Sequence, residues 1–91
     1  MTIEVNDTVT VMTQTGEYVG RLLKMDAFGV VLQNPRMITF ADQGMGFAAG
    51  IAATGVNDPN EMVILQAVFV TETNPEVVKA WHSATSGLVM P

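Results

Sequence analysis

The stretch from Gly16 to Leu32 constrains the fold more than any other part of the chain. Gly16 supplies a turn. The extended run that follows carries Gly20 and Leu22 in its interior, reaches an acid at Asp26 and restarts as Val30-Val31-Leu32. A glycine inside a strand marks a sharp bend or the close approach of another backbone. An acid followed at once by a new apolar run marks a turn with a polar tip. Two strands joined in this way, one of them strongly bent, curl a small sheet toward a barrel.

The flanking sequence extends this pattern. Thr8 to Thr13 alternates around Val9 and Val11 and is rich in β-branched residues, which predicts a first strand. Gln14-Thr15-Gly16-Glu17 is a hairpin turn, Tyr18 to Met25 a second strand and Phe28 to Gln33 a third. Asn34-Pro35 interrupts the ladder, because proline donates no hydrogen bond. Arg36 to Phe40 then resumes extended structure, as a continuation of the third strand or as a short fourth one. Residues 41–60, with Gly44, Gly46, Gly50, Gly55 and Pro59, read as a long connection, a class of loop that is usually functional or disordered. Met62 to Glu72 reads as two short strands bent near Gln66-Ala67, or as one long bent strand. Asn74-Pro75-Glu76 supplies an N-cap, a first-turn proline and a first-turn acid. Val77, Ala80, Trp81 and Ala84 follow at helical spacing, which predicts a helix over residues 75–85 with Gly87 as its stop. The expectation is a single mainly β domain over residues 1–91, five short strands within residues 7–72 and a C-terminal helix.

Charge narrows the partners. The chain is 48% hydrophobic and only 14% charged, against about 25% charged in an ordinary soluble chain. Apolar surface is therefore expected to be buried against other subunits, with the Gly/Ala-rich loops as the other place to put it. Net charge is −5, and the fixed cations are Arg21, Lys24, Arg36 and Lys79. Nucleic-acid binding draws on cations that displace counterions, and a homo-oligomer multiplies the acidity. With no cysteine there is neither a disulfide nor a thiolate metal site. No basic-then-apolar leader opens the chain, and no apolar run reaches the ~20 residues that span a bilayer, so a cytoplasmic protein with no membrane partner is expected.

Gly20, Leu22, Met25 and Asp26 fall at the offsets of the first motif of the Sm-like family, which includes the Sm, LSm and bacterial Hfq proteins. The chain resembles a divergent member of that family and would fit a phage or virus-like genome. The resemblance covers residues 16–32 and is architectural elsewhere. Gly16 stands one residue closer to Gly20 than is usual, and no asparagine follows Asp26 where the family places its base-reading residue; Gly29 or Val30 stands there instead. The second motif, an apolar residue followed by Arg-Gly or by Lys-His, is absent from Ile64-Leu65-Gln66-Ala67-Val68, and the helix follows the sheet instead of preceding it. The resemblance implies a strongly bent five-stranded antiparallel sheet, an SH3-like small barrel. It also implies a homo-oligomeric ring in which the edge strand of one copy pairs with that of the next, together with RNA or ribonucleoprotein binding. No DNA specificity is implied. The alternatives are a protein-interaction or structural ring that has lost the RNA site, and an SH3-like peptide-binding module.

The candidate RNA-binding residues are Asp26, Phe28 and Gly29. Asp26 either orients a base, as the resemblance implies, or caps its own turn by accepting backbone N–H bonds. Phe28 either stacks a base or belongs to the core. Arg21 and Lys24 can touch phosphate or simply form a solvated face. In the long connection, Met45, Phe47 and Ile51 are candidates for a partner-docking loop, and the composition of residues 44–54 lacks the flanking cations of a membrane-inserting segment. Asp58-Pro59-Asn60-Glu61 offers oxygen ligands without the alternate spacing of a calcium loop and reads as a turn. His82, next to Trp81 on the helix, is expected to face solvent without a catalytic partner. No nucleophile–base constellation, phosphate loop or metal-ligand spacing occurs in the sequence, so a non-enzymatic protein without cofactor or metal is expected.

Overall fold

The computed structural model describes residues 2–86. Its elements are β1 (Thr8–Met12), β2 (Glu17–Asp26), β3 (Gly29–Ala41), β4 (Gly44–Ala48), β5 (Glu61–Ile64), β6 (Phe69–Glu72) and α1 (Pro75–Thr85). The strands form one antiparallel sheet in the order β4-β3-β2-β1-β6, with β5 also paired to β3. The fold is mainly β, a small barrel-like sheet with one C-terminal helix, as expected. It has six strands where five were expected, because part of the 41–60 connection folds back on β3 as β4 across the Asp42-Gln43 turn. The apolar stretch from Met62 divides into β5 and β6 around the Gln66-Ala67 bend. No helix among the described residues is long and apolar enough to cross a membrane.

Strand β3 is the spine of the sheet. One of its edges runs along β2. The other pairs first with β5, through Val30↔Ile64 to Gln33↔Glu61, and then with β4, through Met37↔Ala48 to Ala41↔Gly44. The switch occurs at Asn34-Pro35, which bends the strand without ending it. Asn34 takes a positive φ of 51°, a conformation that asparagine tolerates better than most residues. Its N–H donates to Asn60 O at 2.8 Å and its carbonyl accepts from Trp81 Nε1 at 3.0 Å. The buried Arg36 donates to Pro35 O at 2.9 Å and pairs with Asp58 at 3.2 Å. The kink thus fastens both the 49–60 connection and the helix.

The bend at Gly20 has a steric cause. The register of β2 against β3 shifts between Val19 and Arg21 and again between Leu22 and Lys24. A Cβ on Gly20 would lie 3.0 Å from Leu32 Cβ and 3.1 Å from Gln33 O. The two strands approach too closely there for any other residue to fit without a shift.

Curvature separates two apolar clusters. Val9, Val11, Tyr18, Leu22, Val30, Leu32 and Ile64 fill the concave side, with Met37, Ile51, Met62 and Val70 packed against them. On the opposite face Val19 and Ile38 meet Trp81, with Phe47 and Val77 alongside. Helix α1 begins as the sequence predicts: Asn74 Oδ1 accepts from Glu76 N at 2.9 Å, and Pro75 occupies the first turn. Of its expected apolar stripe, Trp81 is fully buried and Val77 half-buried, whereas Ala80 and Ala84 are exposed. His82 is exposed, as expected, with its ring edge-on to Trp81. The predicted stop at Gly87 lies outside the described residues.

Candidate nucleic-acid interface

The β2–β3 connection is a two-residue turn, Ala27-Phe28, closed by the pair Asp26↔Gly29. Asp26 Oδ1 accepts the Phe28 N–H at 2.8 Å. This local bond lets the carboxylate substitute for a backbone acceptor and fixes the turn. It is also the first cause of a carboxyl pKa held below the usual aspartate value, with Lys24 contributing a smaller lowering against some desolvation. Lys24 Nζ stands 3.6 Å from Asp26 Oδ2, with both groups well exposed, so the pair adds little to stability.

Phe28 is 82% exposed. Of the two readings of this residue, core is therefore excluded: the ring sits at the tip of the turn and not in the strand. Gly29 has a steric reason to be glycine, since a Cβ there would lie 2.6 Å from Ile64 O. Backbone of β5 occupies the space that a side chain at this position would need.

These residues line an open concavity of about 140 Å³ together with Lys24, Val31, Val63 and Leu65. Phe28 and Leu65, the latter 72% exposed, contribute apolar surface to it from the turn and from just beyond β5. The arrangement offers apolar surface beside a capped turn, with one cation and one anion next to each other. It can hold a planar apolar group by stacking. Arg21 is placed elsewhere, 6.0 Å above the Trp81 ring on the helix side of the sheet, so Arg21 and Lys24 do not form one phosphate-binding face.

The loop candidates do not converge. Phe47 is half-buried beside Ile38 and Trp81, Ile51 packs on the concave cluster, and only Met45 is exposed, next to exposed Phe40 across the β3–β4 ladder. Asp58 of the 58–61 turn is engaged by Arg36. Among the described residues no group of three or more acids or histidines is placed to hold a metal ion.

Sequence reasoning did not single out Val63 and Leu65. Both belong to an apolar run whose members look alike until the sheet curls, and no local signal separates them from buried Ile64 except strand alternation. The exposed Val63, Leu65, Val68 and Phe69 lie on β5, on β6 and on the connection between them. Among the described residues each of these two strands has a single ladder partner, β3 for one and β1 for the other. No protein-family model matches the chain, and no curated protein matches it either.

Proposed function

We propose that this is a non-enzymatic, cytoplasmic, Sm-like protein whose copies close into a ring that binds single-stranded RNA. In this reading β5 of one subunit pairs with β6 of the next. Terminal strands carry backbone donors and acceptors that another chain can satisfy, and a head-to-tail contact between unlike edges closes into a ring when the rotation allows. Exposed Val63, Leu65, Val68 and Phe69 supply apolar surface at both strands. The observation that carries the RNA reading is Phe28, an exposed aromatic held in a capped turn above an apolar wall. Base–aromatic stacking of this kind is worth ~1–3 kcal/mol per base.

A second reading is favoured by one observation, the net charge of −5 per chain. A ring that presents the same concavity to an apolar side chain of a protein partner needs no cations. Light scattering together with fluorescence anisotropy on labelled RNA oligomers tests both readings. The first predicts a particle several times 9.7 kDa that binds RNA at low salt and loses binding on Phe28→Ala. A ring without binding at low salt, where counterion release favours association most, selects the protein-interaction ring. A particle of 9.7 kDa refutes the ring and leaves the SH3-like peptide module.

A further inference from the structure

We infer that the Phe28 concavity holds a base by stacking alone, so that it accepts single-stranded nucleic acid with little regard to base or sugar. The inference rests on the RNA reading above and specifies its substrate class. Three observations carry it.

The first is the state of the polar side chains. Only Lys24 and Asp26 contribute polar side chains to the concavity. Asp26 Oδ1 is held by the Phe28 N–H at 2.8 Å, and Oδ2 faces Lys24 Nζ at 3.6 Å. Reading a base edge requires donors and acceptors aimed outward in a fixed pattern, and Asp26 is aimed into its own turn.

The second is Gly29. This is one of the two positions after Asp26 at which a base-reading side chain would stand, and the 2.6 Å approach of Ile64 O leaves no room for one. The other position, Val30, is buried in the concave cluster. Neither can present a side-chain amide or hydroxyl to a ligand.

The third is the composition of the walls. Phe28, Val31, Val63 and Leu65 offer surface that every base can stack on or pack against. Preferences in such a site follow stacking strength and not hydrogen-bond pattern. The one side-chain donor there, the Lys24 ammonium, is exposed on a flexible stem beside Asp26 and sets no fixed hydrogen-bond pattern toward the ribose 2′-OH, the group that distinguishes RNA from DNA. Electrostatics supply little: Lys24 is the one cation lining the site, and the Asp26 carboxylate lies 3.6 Å from it.

Anisotropy titrations with labelled oligo-A, oligo-U, oligo-C, oligo-G and oligo-dA against the intact protein test this. The expected order places the purines above the pyrimidines by less than tenfold, with oligo-A and oligo-dA within about threefold of each other, since stacking strength sets the order. The log–log salt slope should be no steeper than about 0.7 per engaged subunit, the value for one phosphate contact on a single strand. Phe28→Ala should weaken every oligomer by a similar factor, about 5- to 150-fold, while Phe28→Trp retains binding. Phe28 is exposed, so both variants should keep the parent's circular dichroism.

A preference above tenfold for one base overturns the inference and leaves RNA binding standing, as does a tenfold preference for ribose. Oligo-G alone binding tightly, with the preference abolished by Asp26→Ala, would show that the carboxylate reads the base after all. Absence of binding to every oligomer at low salt overturns the inference together with the reading it rests on.

Discussion

Replacing Gly29 by alanine tests whether β5 backbone lies where the structure puts it. The added Cβ would stand 2.6 Å from Ile64 O, and ordinary contact begins at 3.4 Å, so the two must part by 0.8 Å (3.4 − 2.6). Relief by a rotamer change is impossible, because both atoms belong to or adjoin the main chain. Ile64 C and Leu65 Cα already stand at 3.4 Å from the same point, so residues 64–65 must retreat as a unit. That movement pulls on the Val30↔Ile64 pair at the end of a four-residue strand and on buried Ile64.

Overpacking of this kind costs about 1–3 kcal/mol, and a lost ladder hydrogen bond adds about 1 kcal/mol. Alanine stiffens the unfolded chain and returns about 0.4–1 kcal/mol. The expected net loss is about 2 kcal/mol, or a fall in Tm of about 8–16 °C for a domain of this size. Urea unfolding followed by fluorescence of the single, buried Trp81 measures it, at one protein concentration because assembly would shift apparent stability. Gly50→Ala is the control: its Cβ would meet nothing closer than Asn57 O at 3.6 Å, and surface changes of that kind stay within about 0.5 kcal/mol. A Gly29→Ala variant as stable as that control would refute the packing of β5 on the turn, and with it the steric argument against a base-reading side chain.

Other perturbations address the kink and the turn. Trp81→Phe removes the Nε1 donor to Asn34 O and leaves a small void, and should lower stability by about 2–3 kcal/mol in urea melts followed by circular dichroism. Asp58→Ala leaves the buried Arg36 guanidinium without its carboxylate. Because Asp58 itself is mostly exposed, the loss should be about 1–2 kcal/mol, below that of a fully buried pair, and Arg36→Met in the same chain should recover part of it. The Asp26 carboxyl pKa is lowered in the folded chain, so the stability it confers is present above the unfolded pKa and is lost as pH falls through the folded one. The difference in stability between the parent and Asp26→Ala should therefore be constant near neutrality and shrink on acidification below the ordinary carboxylate range. A difference that persists unchanged at low pH would show that the turn is not capped by the ionised group.

Much of the architecture was legible because its causes are local. Alternation around Val9 and Val11 acts over a few residues, as does the Asn74-Pro75-Glu76 cap, and each appears in place. Gly20 was legible because a glycine inside a strand itself marks a close approach, here of Leu32 and Gln33 on β3. The positions that were not legible depend on contacts between distant segments. Asn34-Pro35 looks like a break, yet β3 passes through it, because Asn60 and Trp81 satisfy the polar groups that the kink exposes. Residues 44–48 look like a glycine-rich connection, and the β3 edge that pairs them is free only because β5 is too short to occupy all of it. Phe28 was ambiguous for a different reason: one residue decides whether it ends the turn or begins the strand, and that depends on Gly29 closing against Asp26. Phe47 and Ile51 looked displayed in sequence and are half-buried, because the connection folds back onto the sheet over both clusters.

Assembly and binding, in the proposed reading, draw on the same strand. Val63 and Leu65 form one wall of the Phe28 concavity, and the outer edge of β5 is the margin offered to the next subunit. β5 is four residues long and is held on one side only, by β3, so its position is the least constrained part of the site. Pairing with a neighbour's β6 would add a second ladder and fix that wall against Phe28. Ligand affinity and subunit affinity should then rise and fall together, as reciprocal linkage demands. Dilution that separates subunits should weaken oligonucleotide binding, and saturating oligonucleotide should hold the assembly together at concentrations where the free protein dissociates. Sedimentation at a series of concentrations, with and without oligo-A, reads both directions. Binding that is indifferent to assembly would place the ligand away from β5 and refute a wall shared between the Phe28 concavity and the subunit contact.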